Sequence, residues 1–447
     1  MERIRFYIAL VIARFVYMAI KLLNKSSGTS FVGMVVLKIC PNFLAYCRKY
    51  INRGSVFTVT GTNGKTTTSG LLSNIFEKDG QKIIHNVKGA NILTGVANVF
   101  ALNILPFCHF DSAVIESDEA YLTKLYDYFK SDYLLVTNLF RDQLDRYGEL
   151  ATTAGFIQNA IDKDEDLMLI LNADDPLVTN FGKNRKKVKY FGFENVEICS
   201  EVHNSVSAAP SENFSCICGS PLKYHKRFFA QEGHYYCDSC QYHRPEPDYK
   251  GYVKLYNDYS ELTVITKDKE YVFRVNLVGL YNAYNVLGAV AAALEKGISY
   301  DIIKEAVSSY KSIFGRTETL IINGHNALIQ LIKNPTGASE VLKTVDLSSN
   351  IVIAINDNYA DGRDISWLWD SDFEQLKDAR GLVITSGIRA KDMAVRLKYA
   401  GIPQEKIIVE EDIKTAIEIA AKSDNIEERI TILPSYTALL KISKLKF

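Results

Sequence analysis

The sequence predicts an α/β protein with two doubly wound domains, and three observations lead to this prediction. In the first half of the chain, apolar runs such as "SAVIES" and "DYLLVTN" alternate with segments of helical spacing. A second alternation, which includes "NIVIAIND" and "GLVITSG", begins after "FGRTETL", and a polar stretch separates the two. Strands that alternate with helices form parallel sheets with helices on both faces.

The order of the predicted elements divides the 447 residues into four parts. Residues 1–54 form a basic and apolar helical segment. Residues 55–318 form a central domain that begins with a strand, a glycine loop and a helix. Residues 193–250 interrupt this domain with a polar, cysteine-containing stretch that we interpret as an insertion. Residues 319–447 form a Rossmann-like C-terminal domain.

The N-terminal segment is strongly basic. Nine Lys and Arg residues stand against the single acid Glu2 in residues 1–54, a net charge of +8. Arg14 and Lys21 interrupt the apolar runs of "FYIALVIARFVYMAIKLL", so we expect no membrane-spanning helix. No small-residue cleavage site follows, so we expect no signal peptide. Two interpretations stay open: a basic amphipathic helix on an anionic membrane surface, and a packing helix whose cations reach solvent.

The composition narrows the function classes. Lys plus Arg equals Asp plus Glu, at 52 residues each, so no overall field attracts nucleic acid. The eight cysteines of a chain this long do not form a secreted disulfide framework. We therefore expect a protein of the reducing cytoplasm, with peripheral contact to the inner face of the membrane as an open question.

The segment "VTGTNGKTTTSG", residues 59–70, predicts a phosphate-binding loop. It follows a β-branched run and opens a helix, so loop N–H groups and the helix N-terminus face phosphate oxygens. Its two glycines stand closer together than in the common GxxxxGK pattern, which makes the loop related but distinct. The lysine provides a charged clamp, and the threonine after it a hydroxyl for Mg²⁺. The predicted ATP contacts are Thr62, Asn63, Gly64, Lys65, Thr66 and Thr67.

A magnesium nucleotide also requires a carboxylate. Glu116 ends the strand "SAVIE", where doubly wound sheets place ligand-binding residues, and we expect it to bind Mg²⁺ together with Thr66. Asp118 and Glu119 are the alternatives, and a solvated acidic turn is a third. The polar residues of a later strand end either bind ribose or metal or cap the next helix: Asn172, Asp174 and Asp175.

The insertion contains a pattern similar to a zinc ribbon. "CICGSPLKYHKRFFAQEGHYYCDSC" has two cysteine pairs separated by 18 residues, an arrangement typical of a closed structural zinc site. The second pair has CxxC spacing, but the first is CxC, which makes its first cysteine the doubtful ligand. His225 or His234 could replace it, and an insertion without metal is the alternative. The predicted ligands are Cys216, Cys218, Cys237 and Cys240.

Several motifs together resemble the Mur ligases, ATP-dependent amide-forming enzymes of peptidoglycan synthesis. "GTNGKTTT", "TNLFRDQLDRYGE", "NADDP", "GLYNAYN" and "FGRTE" occur in the order typical of that family, over roughly residues 30–440. The resemblance implies that Asn282 and Asn285 contact adenine and that Arg316 approaches the phosphates. From the residues alone, Asn282 could equally cap the following helix. Gln143 stands where the ordinary family has a histidine.

The C-terminal domain departs from the ordinary ligases. Its first strand ends in "LIKNPTGASE", and "NDNYADGRDISWLWD" follows the strand "IVIAI". With "ILPSYTALL" and the cysteine insertion, these segments resemble the MurT family, the synthetase subunits of lipid II isoglutaminyl synthase. The resemblance implies ATP-dependent amidation of the α-carboxyl of D-glutamate in the lipid II stem peptide to D-isoglutamine. It also implies an acyl phosphate, and ammonia from a GatD-type glutaminase subunit.

The same resemblance implies that an Asp of this chain completes the catalytic triad of the glutaminase. We expect Asp357 in this role, because it stands at the strand end, where the backbone is best fixed. Such a carboxylate orients the imidazole of the partner. Asp361 is the second choice and Asp364 a further candidate. A self-contained turn at Asp361 and Gly362 is the structural alternative.

Two other functions stay open on the sequence. One is a Mur-type or folylpolyglutamate-like ligase that adds an amino acid, and ammonium as sole nitrogen donor would separate it from an amidating enzyme. The other is a non-catalytic scaffold that binds nucleotide and a partner. The intact "GTNGKTT" argues against the scaffold.

Overall fold

The computed structural model describes residues 2–22, 29–86, 90–105, 107–140, 150–199, 214–256, 258–311, 316–322, 324–422 and 429–445. Of residues 29 and 316–319 it describes the backbone alone. Within these ranges the chain forms two large sheets and one hairpin, each large sheet with its own helices.

The first sheet has nine strands among the described residues, in the order β11-β10-β9-β6-β5-β4-β1-β3-β2. The strands of this part of the chain are β1 (Val56–Thr60), β2 (Ile83–His85), β3 (Ser112–Glu116), β4 (Tyr133–Val136), β5 (Met168–Asn172), β6 (Val188–Ile198), β7 (Lys223–Phe229), β8 (Glu232–Tyr236), β9 (Tyr249–Leu255), β10 (Ser260–Ile265) and β11 (Glu270–Val275). Strands β1 to β6 and β9 pair in parallel, and β10 and β11 continue the sheet antiparallel. The carboxyl ends of β1, β3, β4 and β5 therefore share one edge.

Helices cover both faces of this sheet. They are α1 (Glu2–Leu22), α2 (Thr29–Ile39), α3 (Phe43–Cys47), α4 (Lys65–Lys78), α5 (Leu93–Asn103), α6 (Glu119–Tyr126), α7 (Leu150–Ile161), α8 (Leu280–Glu295) and α9 (Tyr300–Ser309). Successive residues of a strand point to opposite faces. In β1, Val56 joins the core beneath α1 to α3 and α5 to α7, whereas Phe57 and Val59 join the core beneath α4, α8 and α9.

The N-terminal helices pack on the first of these two cores. Phe6 of α1 stacks on Phe43 of α3, with ring centroids 5.1 Å apart, and Val32 and Val36 of α2 are fully buried. No single helix of the described ranges is long and apolar enough to cross a membrane. Two consecutive helical segments, residues 30–39 and 43–50, are together long and apolar enough, but the chain bends by 95° between them.

The cysteine-containing stretch lies between β6 and β9, where β7 and β8 form a two-stranded antiparallel hairpin. Its far end is tied to the first sheet by Arg244, which donates from Nε to Asp174 Oδ1 at 2.6 Å and from Nη1 to Glu194 Oε1 at 2.9 Å. Because Asp174 follows β5 directly, the hairpin is anchored beside the carboxyl edge of the sheet.

The second sheet has six strands among the described residues, in the order β12-β13-β17-β14-β15-β16. Its strands are β12 (Arg316–Ile322), β13 (His325–Gln330), β14 (Asn350–Ala354), β15 (Val383–Ser386), β16 (Ile407–Val409) and β17 (Arg429–Pro434). Strand β12 is antiparallel and the others are parallel. Its helices are α10 (Pro335–Leu342), α11 (Ala390–Tyr399), α12 (Ile413–Lys422) and α13 (Tyr436–Ile442). The predicted α/β class is confirmed, and the domain boundaries stay predictions.

Candidate active site

The predicted phosphate loop joins β1 to α4. Gly61 and Gly64 adopt φ angles of +124° and +83°, in the region that favours glycine. A Cβ on Gly64 would lie 1.9 Å from Asn285 Oδ1, and one on Gly61 would lie 2.3 Å from Thr137 Oγ1. Both glycines are therefore required, by backbone conformation and by the close approach of a neighbouring side chain.

The end of β4 holds the loop in place. Asn138 accepts from Thr62 N at its main-chain oxygen, at 2.9 Å, and from Asn63 N at Oδ1, at 2.8 Å. Thr137 Oγ1 donates to the Asn63 carbonyl at 2.7 Å. Helix α4 begins directly after this braced loop, so its free N–H groups and positive dipole end are available to an anion.

Lys65 is buried at the start of α4. Its Nζ lies 3.0 Å from Glu119 Oε1 and 2.5 Å from the carbonyl oxygen of Gly61. Burial alone would lower the pKa of Lys65, but the carboxylates of Glu119, Asp118 and Glu116 outweigh burial and raise it. The ammonium is therefore held charged at the phosphate loop.

Glu116 ends β3 beside the first turn of α4 and is 2% exposed. Its Oε1 accepts from Thr66 Oγ1 at 3.1 Å and from Asn91 Nδ2 at 3.5 Å. Its Oε2 is buried and accepts no hydrogen bond from the described residues. An unpaired buried carboxylate oxygen is costly, and a hard cation such as Mg²⁺ would supply the missing partner. Thr66 and Glu116 therefore fit a Mg²⁺ site better than the two alternative carboxylates do. Asp118 caps α6, and Glu119 pairs with Lys65.

Asn282 and Asn285 lie in the first turns of α8 and are 2% and 4% exposed. Asn282 Nδ2 donates to the Val278 carbonyl at 2.8 Å, and Asn285 Nδ2 donates to Asn282 Oδ1 at 3.4 Å. The residue at the cap of α8 is Gly279, so Asn282 does not cap this helix. The two amides form a linked pair that reaches Gly64 of the phosphate loop.

The C-terminal domain closes the other side of the loop. Asn334, the N-cap of α10, donates from Nδ2 to Asn63 Oδ1 at 2.9 Å, and Lys333 Nζ lies 3.4 Å from the Thr62 carbonyl oxygen. Between the two domains is a cavity of about 90 Å³. Its lining includes Thr67, Phe229, Tyr284, Lys333, Thr336 and Glu340. The cavity therefore combines the phosphate loop, α8, the cysteine hairpin and the C-terminal domain.

The polar residues after β5 have internal partners. Asp174 Oδ2 accepts from Tyr284 OH at 2.7 Å, in addition to the ion pair with Arg244. Asp175 accepts backbone N–H groups of neighbouring turns at 2.8 Å, and burial raises its pKa to about 6. Asn172 is fully buried and donates to the Thr137 carbonyl at 3.0 Å. Of the two interpretations of "NADDP", the contacts support the capping and framework role.

The four cysteines of the insertion meet at one point. The Sγ atoms of Cys216, Cys218, Cys237 and Cys240 all lie within 4.8 Å of one another. The distance is 3.4 Å between Cys216 and Cys240 and 3.6 Å between Cys218 and Cys237. Thiolates at about 2.3 Å from a tetrahedral zinc would stand about 3.8 Å apart. The cluster is therefore compatible with a zinc site, and the CxC spacing does not keep Cys216 out of it.

Neither histidine that could have replaced Cys216 belongs to the cluster. The ring of His225 stacks on Tyr236, with centroids 4.4 Å apart. His234 Nε2 is 2.8 Å from the Phe193 carbonyl oxygen. Both rings are therefore used for packing and hydrogen bonding along the hairpin.

Asp357 lies at the carboxyl edge of the second sheet, just beyond β14, and is 8% exposed. Its Oδ2 accepts from Arg389 Nη2 at 2.6 Å, from the loop after β15. Within the described ranges, no donor is recorded for its Oδ1. The carboxylate is thus oriented by one guanidinium and keeps one oxygen for another donor.

Asp361 is held differently. Its Oδ1 accepts from Thr437 N at 2.7 Å, and its Oδ2 accepts from Thr437 Oγ1 at 2.5 Å and from Asn358 N at 3.2 Å. Both oxygens are therefore used within the chain, mainly by Thr437 of α13, so Asp361 ties its loop to a distant helix and does not form a self-contained turn. Asp364 accepts from Ser366 N at 2.8 Å, as a local loop bond.

The side chains of two candidates are not described. Gln143 lies outside the described residues. Arg316 begins β12, but its side chain is not described, so its approach to the phosphates stays a prediction.

Comparison with known proteins identifies the family. The protein-family model described as the Mur ligase middle domain matches residues 59–226. The family model described as MurT ligase C-terminal matches residues 331–439. The chain is 34% identical, over 94% of its length, to the lipid II isoglutaminyl synthase (glutamine-hydrolyzing) subunit MurT of Streptococcus pneumoniae (strain ATCC BAA-255 / R6), 92% of which it covers. The chain belongs to the MurT family.

Other comparisons agree with this membership. The MurT subunit of Staphylococcus aureus (strain COL) is 32% identical over 92% of this chain and 91% of its own length. A pseudomurein peptide ligase type C from Methanothermus fervidus has the same fold, with a TM-score of 0.69 at 22% identity over 94% of this chain and 85% of that one. The predicted Mur ligase-like fold class is confirmed.

As a MurT-family protein the chain is a ligase of the Mur type. The family implies ATP and Mg²⁺ as the reagents of the phosphate loop, and the cysteine cluster is compatible with zinc. In this MurT-family chain Thr66 donates to Oε1 of Glu116, and Oε2 of the same carboxylate is buried without a hydrogen-bond partner among the described residues.

Some contacts of this MurT-family site did not follow from the sequence. The position of Asn138 could have been predicted, since it is a polar residue at a strand end, where ligand-binding loops form. Lys333 and Asn334 belong to a segment that departs from the ordinary ligases. No feature of the neighbouring sequence predicts their contacts with the phosphate loop. No sequence feature predicted that Arg389 pairs with Asp357.

We predict that the MurT-family insertion binds one zinc ion per chain, measured by elemental analysis of the purified protein. Cys216→Ser should lower the zinc affinity measured against a chelator by more than the roughly 10–100-fold that follows loss of a residue hydrogen-bonded to a ligand, because a ligand itself is lost. The melting temperature should fall with it, since zinc binding is coupled to folding.

Cys199→Ser is the matched control, because Cys199 is exposed and lies outside the cluster. It should leave the zinc content unchanged. Retention of zinc by the Cys216→Ser variant would show that three cysteines and another ligand hold the ion.

Proposed function

We propose that this chain is the synthetase subunit that amidates the α-carboxyl of D-glutamate in the lipid II stem peptide to D-isoglutamine. ATP phosphorylates the carboxylate to an acyl phosphate and leaves as ADP. Ammonia then attacks the carbonyl carbon, and phosphate departs as the C–N bond forms. The observation that carries this proposal is the phosphate loop with its charged Lys65 beside the unpaired Oε2 of Glu116.

The residues around the loop suit phosphoryl transfer. A carboxylate is a poor electrophile because its oxygen leaves badly, whereas phosphate is a good leaving group. Lys65 and the N–H groups of α4 stabilise the negative charge that develops on the transferring phosphoryl group. Mg²⁺, held by Thr66 and Glu116, would neutralise further phosphate charge.

The contacts between the two domains suit protection of the intermediate. An acyl phosphate hydrolyses in water, so the site must close during the reaction. Asn334 and Lys333 bring the C-terminal domain onto Asn63 and Thr62 of the loop. We propose that this closed arrangement keeps water from the acyl phosphate, with the adenine beside Asn282 and Asn285.

The ammonia is proposed to come from a partner glutaminase of the GatD type, which forms a heterodimer with this chain. The relatives from Streptococcus and Staphylococcus are named as glutamine-hydrolysing and as subunits, which supports a partner. Asp357 is our candidate for the carboxylate that orients the imidazole of the partner's triad, because its free Oδ1 can accept a second donor. We place the reaction in the cytoplasm, at the inner face of the membrane.

Reconstitution tests this proposal. The purified chain is incubated with lipid II and ATP, with either ammonium alone or glutamine plus the glutaminase. Mass spectrometry of the product should show replacement of one OH by NH₂ under both conditions. Addition of hydroxylamine without ammonia should trap the acyl phosphate as a hydroxamate at the D-glutamate.

The alternatives predict other results. A requirement for a free amino acid, with no product from ammonium, would identify an amino-acid-adding ligase instead. Binding of nucleotide without ATP consumption under any of these conditions would identify a scaffold. Amide formation without hydroxamate would exclude the acyl phosphate.

A further inference from the structure

Helix α1 carries apolar residues on two opposite faces. Phe6, Ala9, Leu10 and Ala13 are buried against the central domain. The opposite face, which we call the outer stripe, has residues spaced alternately by four and three. It consists of Ile4, Ile8, Val11, Phe15, Met18 and Leu22, which are between 45% and 87% exposed. An ordinary surface helix has one apolar stripe, turned inward, so a second one turned outward indicates a binding surface.

Elements that pack against α1 also expose apolar side chains. Phe31 and Met34 of α2 are also exposed. Arg14 Nη2 donates to the Ile104 carbonyl at 2.5 Å, which places the turn after α5 beside α1, and Phe107 in that turn is fully exposed. Exposed apolar side chains are therefore not confined to α1 in this part of the chain.

The charged side chains beside the outer stripe are all positive. At 100° per residue, Arg3, Arg14 and Lys21 fall along one edge of the stripe and Arg5 along the other. The single acid of the first 54 residues, Glu2, accepts from Tyr46 OH at 2.8 Å. An apolar strip bordered by cations complements a surface that is apolar inside and anionic outside.

We propose that the outer stripe docks on an anionic phospholipid bilayer, with α1 lying in the plane of the membrane surface. The stripe is about 27 Å long from residue 4 to residue 22, and its side chains would enter the boundary between headgroups and acyl chains. Arg3, Arg5 and Lys21 would contact the lipid phosphates, whereas the guanidinium of Arg14 donates to main-chain carbonyls. A second copy of the chain fits less well, because the cations bordering two facing stripes would repel each other.

The proposal rests on α1 and its neighbours, and it does not depend on the reaction proposed above. The test is co-sedimentation of the full chain with vesicles that contain phosphatidylglycerol and phosphatidylcholine, compared with phosphatidylcholine alone. Neither ATP nor peptidoglycan precursor is present. We expect binding to the anionic vesicles, weakened by added salt.

Variants identify the surface. Phe15→Glu should weaken binding by at least about tenfold, because it places a charge in the apolar strip. Arg3→Gln combined with Lys21→Gln should weaken it about 30-fold at low salt, from the attraction of two cations to anionic lipid. Val272→Glu is the matched control, since Val272 is 47% exposed on β11 and outside the stripe, and it should bind as wild type does.

Equal binding of wild type and Phe15→Glu, or equal binding to anionic and neutral vesicles, would overturn the proposal. A dimer in sedimentation velocity without vesicles, lost in Phe15→Glu, would show that a second copy occupies the stripe. Unchanged melting temperatures of the exposed-site variants would confirm that each remains folded.

Discussion

Lys65→Ala should reduce amidation by about 10²–10³-fold or more, whether ammonium or glutamine supplies the nitrogen. The lysine places a fixed positive charge at the phosphate loop, and loss of one preorganised donor to a developing charge has a cost of this size. The measurement is ADP release with lipid II and ammonium. Heterodimer formation should remain, because Lys65 is buried in the central domain.

This substitution also leaves Glu119 buried without its partner, which by itself destabilises the fold. Lys65→Met combined with Glu119→Gln removes both charges. This double variant should be more stable than Lys65→Ala and equally inactive. Recovery of activity along with stability would mean that the lysine acts only through the fold.

Lys78→Ala is the control on the same helix. Lys78 pairs with Glu305 at the surface, where an ion pair contributes little. It should retain the full rate. A wild-type rate in Lys65→Ala would contradict the phosphoryl-transfer role of this loop.

Asp357→Asn should abolish glutamine-dependent amidation and spare ammonium-dependent amidation. An orienting carboxylate holds the imidazole of a triad in the useful tautomer, and an amide in its place costs up to about 10⁴-fold in the serine-protease template. The measurement is the ratio of the two rates in the reconstituted heterodimer. Arg389 pairs with Asp357, so the variant loses an ion pair that is partly exposed, and stability should change little.

Asp361→Asn provides the contrast. Both oxygens of Asp361 accept hydrogen bonds from Thr437 or Asn358, so the amide turns one acceptor into a donor that has no partner there. Melting temperature should fall, and both nitrogen sources should be affected together. If Asp361→Asn loses only the glutamine-dependent rate while Asp357→Asn keeps it, the orienting role belongs to Asp361.

Local sequence was sufficient to predict a phosphate-binding loop and to select Glu116 as a candidate magnesium ligand. A loop between a buried strand and a helix start has its geometry set by a few consecutive residues, and Gly61 and Gly64 show the positive φ angles that such a turn requires. Glu116 followed from the general position of ligand residues at strand ends in doubly wound sheets. Its unpaired Oε2 needed the structure, because that depends on every neighbour.

Contacts between distant segments were beyond the sequence. The pairing of Asn63 with Asn334 spans 271 positions and forms only when two domains pack together. The choice between Asp357 and Asp361 also depends on a distant residue. Thr437, far along the chain, donates hydrogen bonds to both carboxylate oxygens of Asp361. Spacing alone also left Cys216 in doubt, whereas the folded hairpin brings its Sγ into the cluster.

Periodicity and short-range backbone geometry were enough to predict the α/β class, the phosphate loop, the cysteine insertion and the strand-end acids. Which polar groups lack a partner among the described residues became visible in the folded chain alone. The tertiary structure also showed that α1 packs on one face and exposes an apolar stripe on the other, which is the basis of the proposed membrane contact. The physical reason is that burial and hydrogen-bond satisfaction are properties of all neighbours in space, which a linear pattern does not contain.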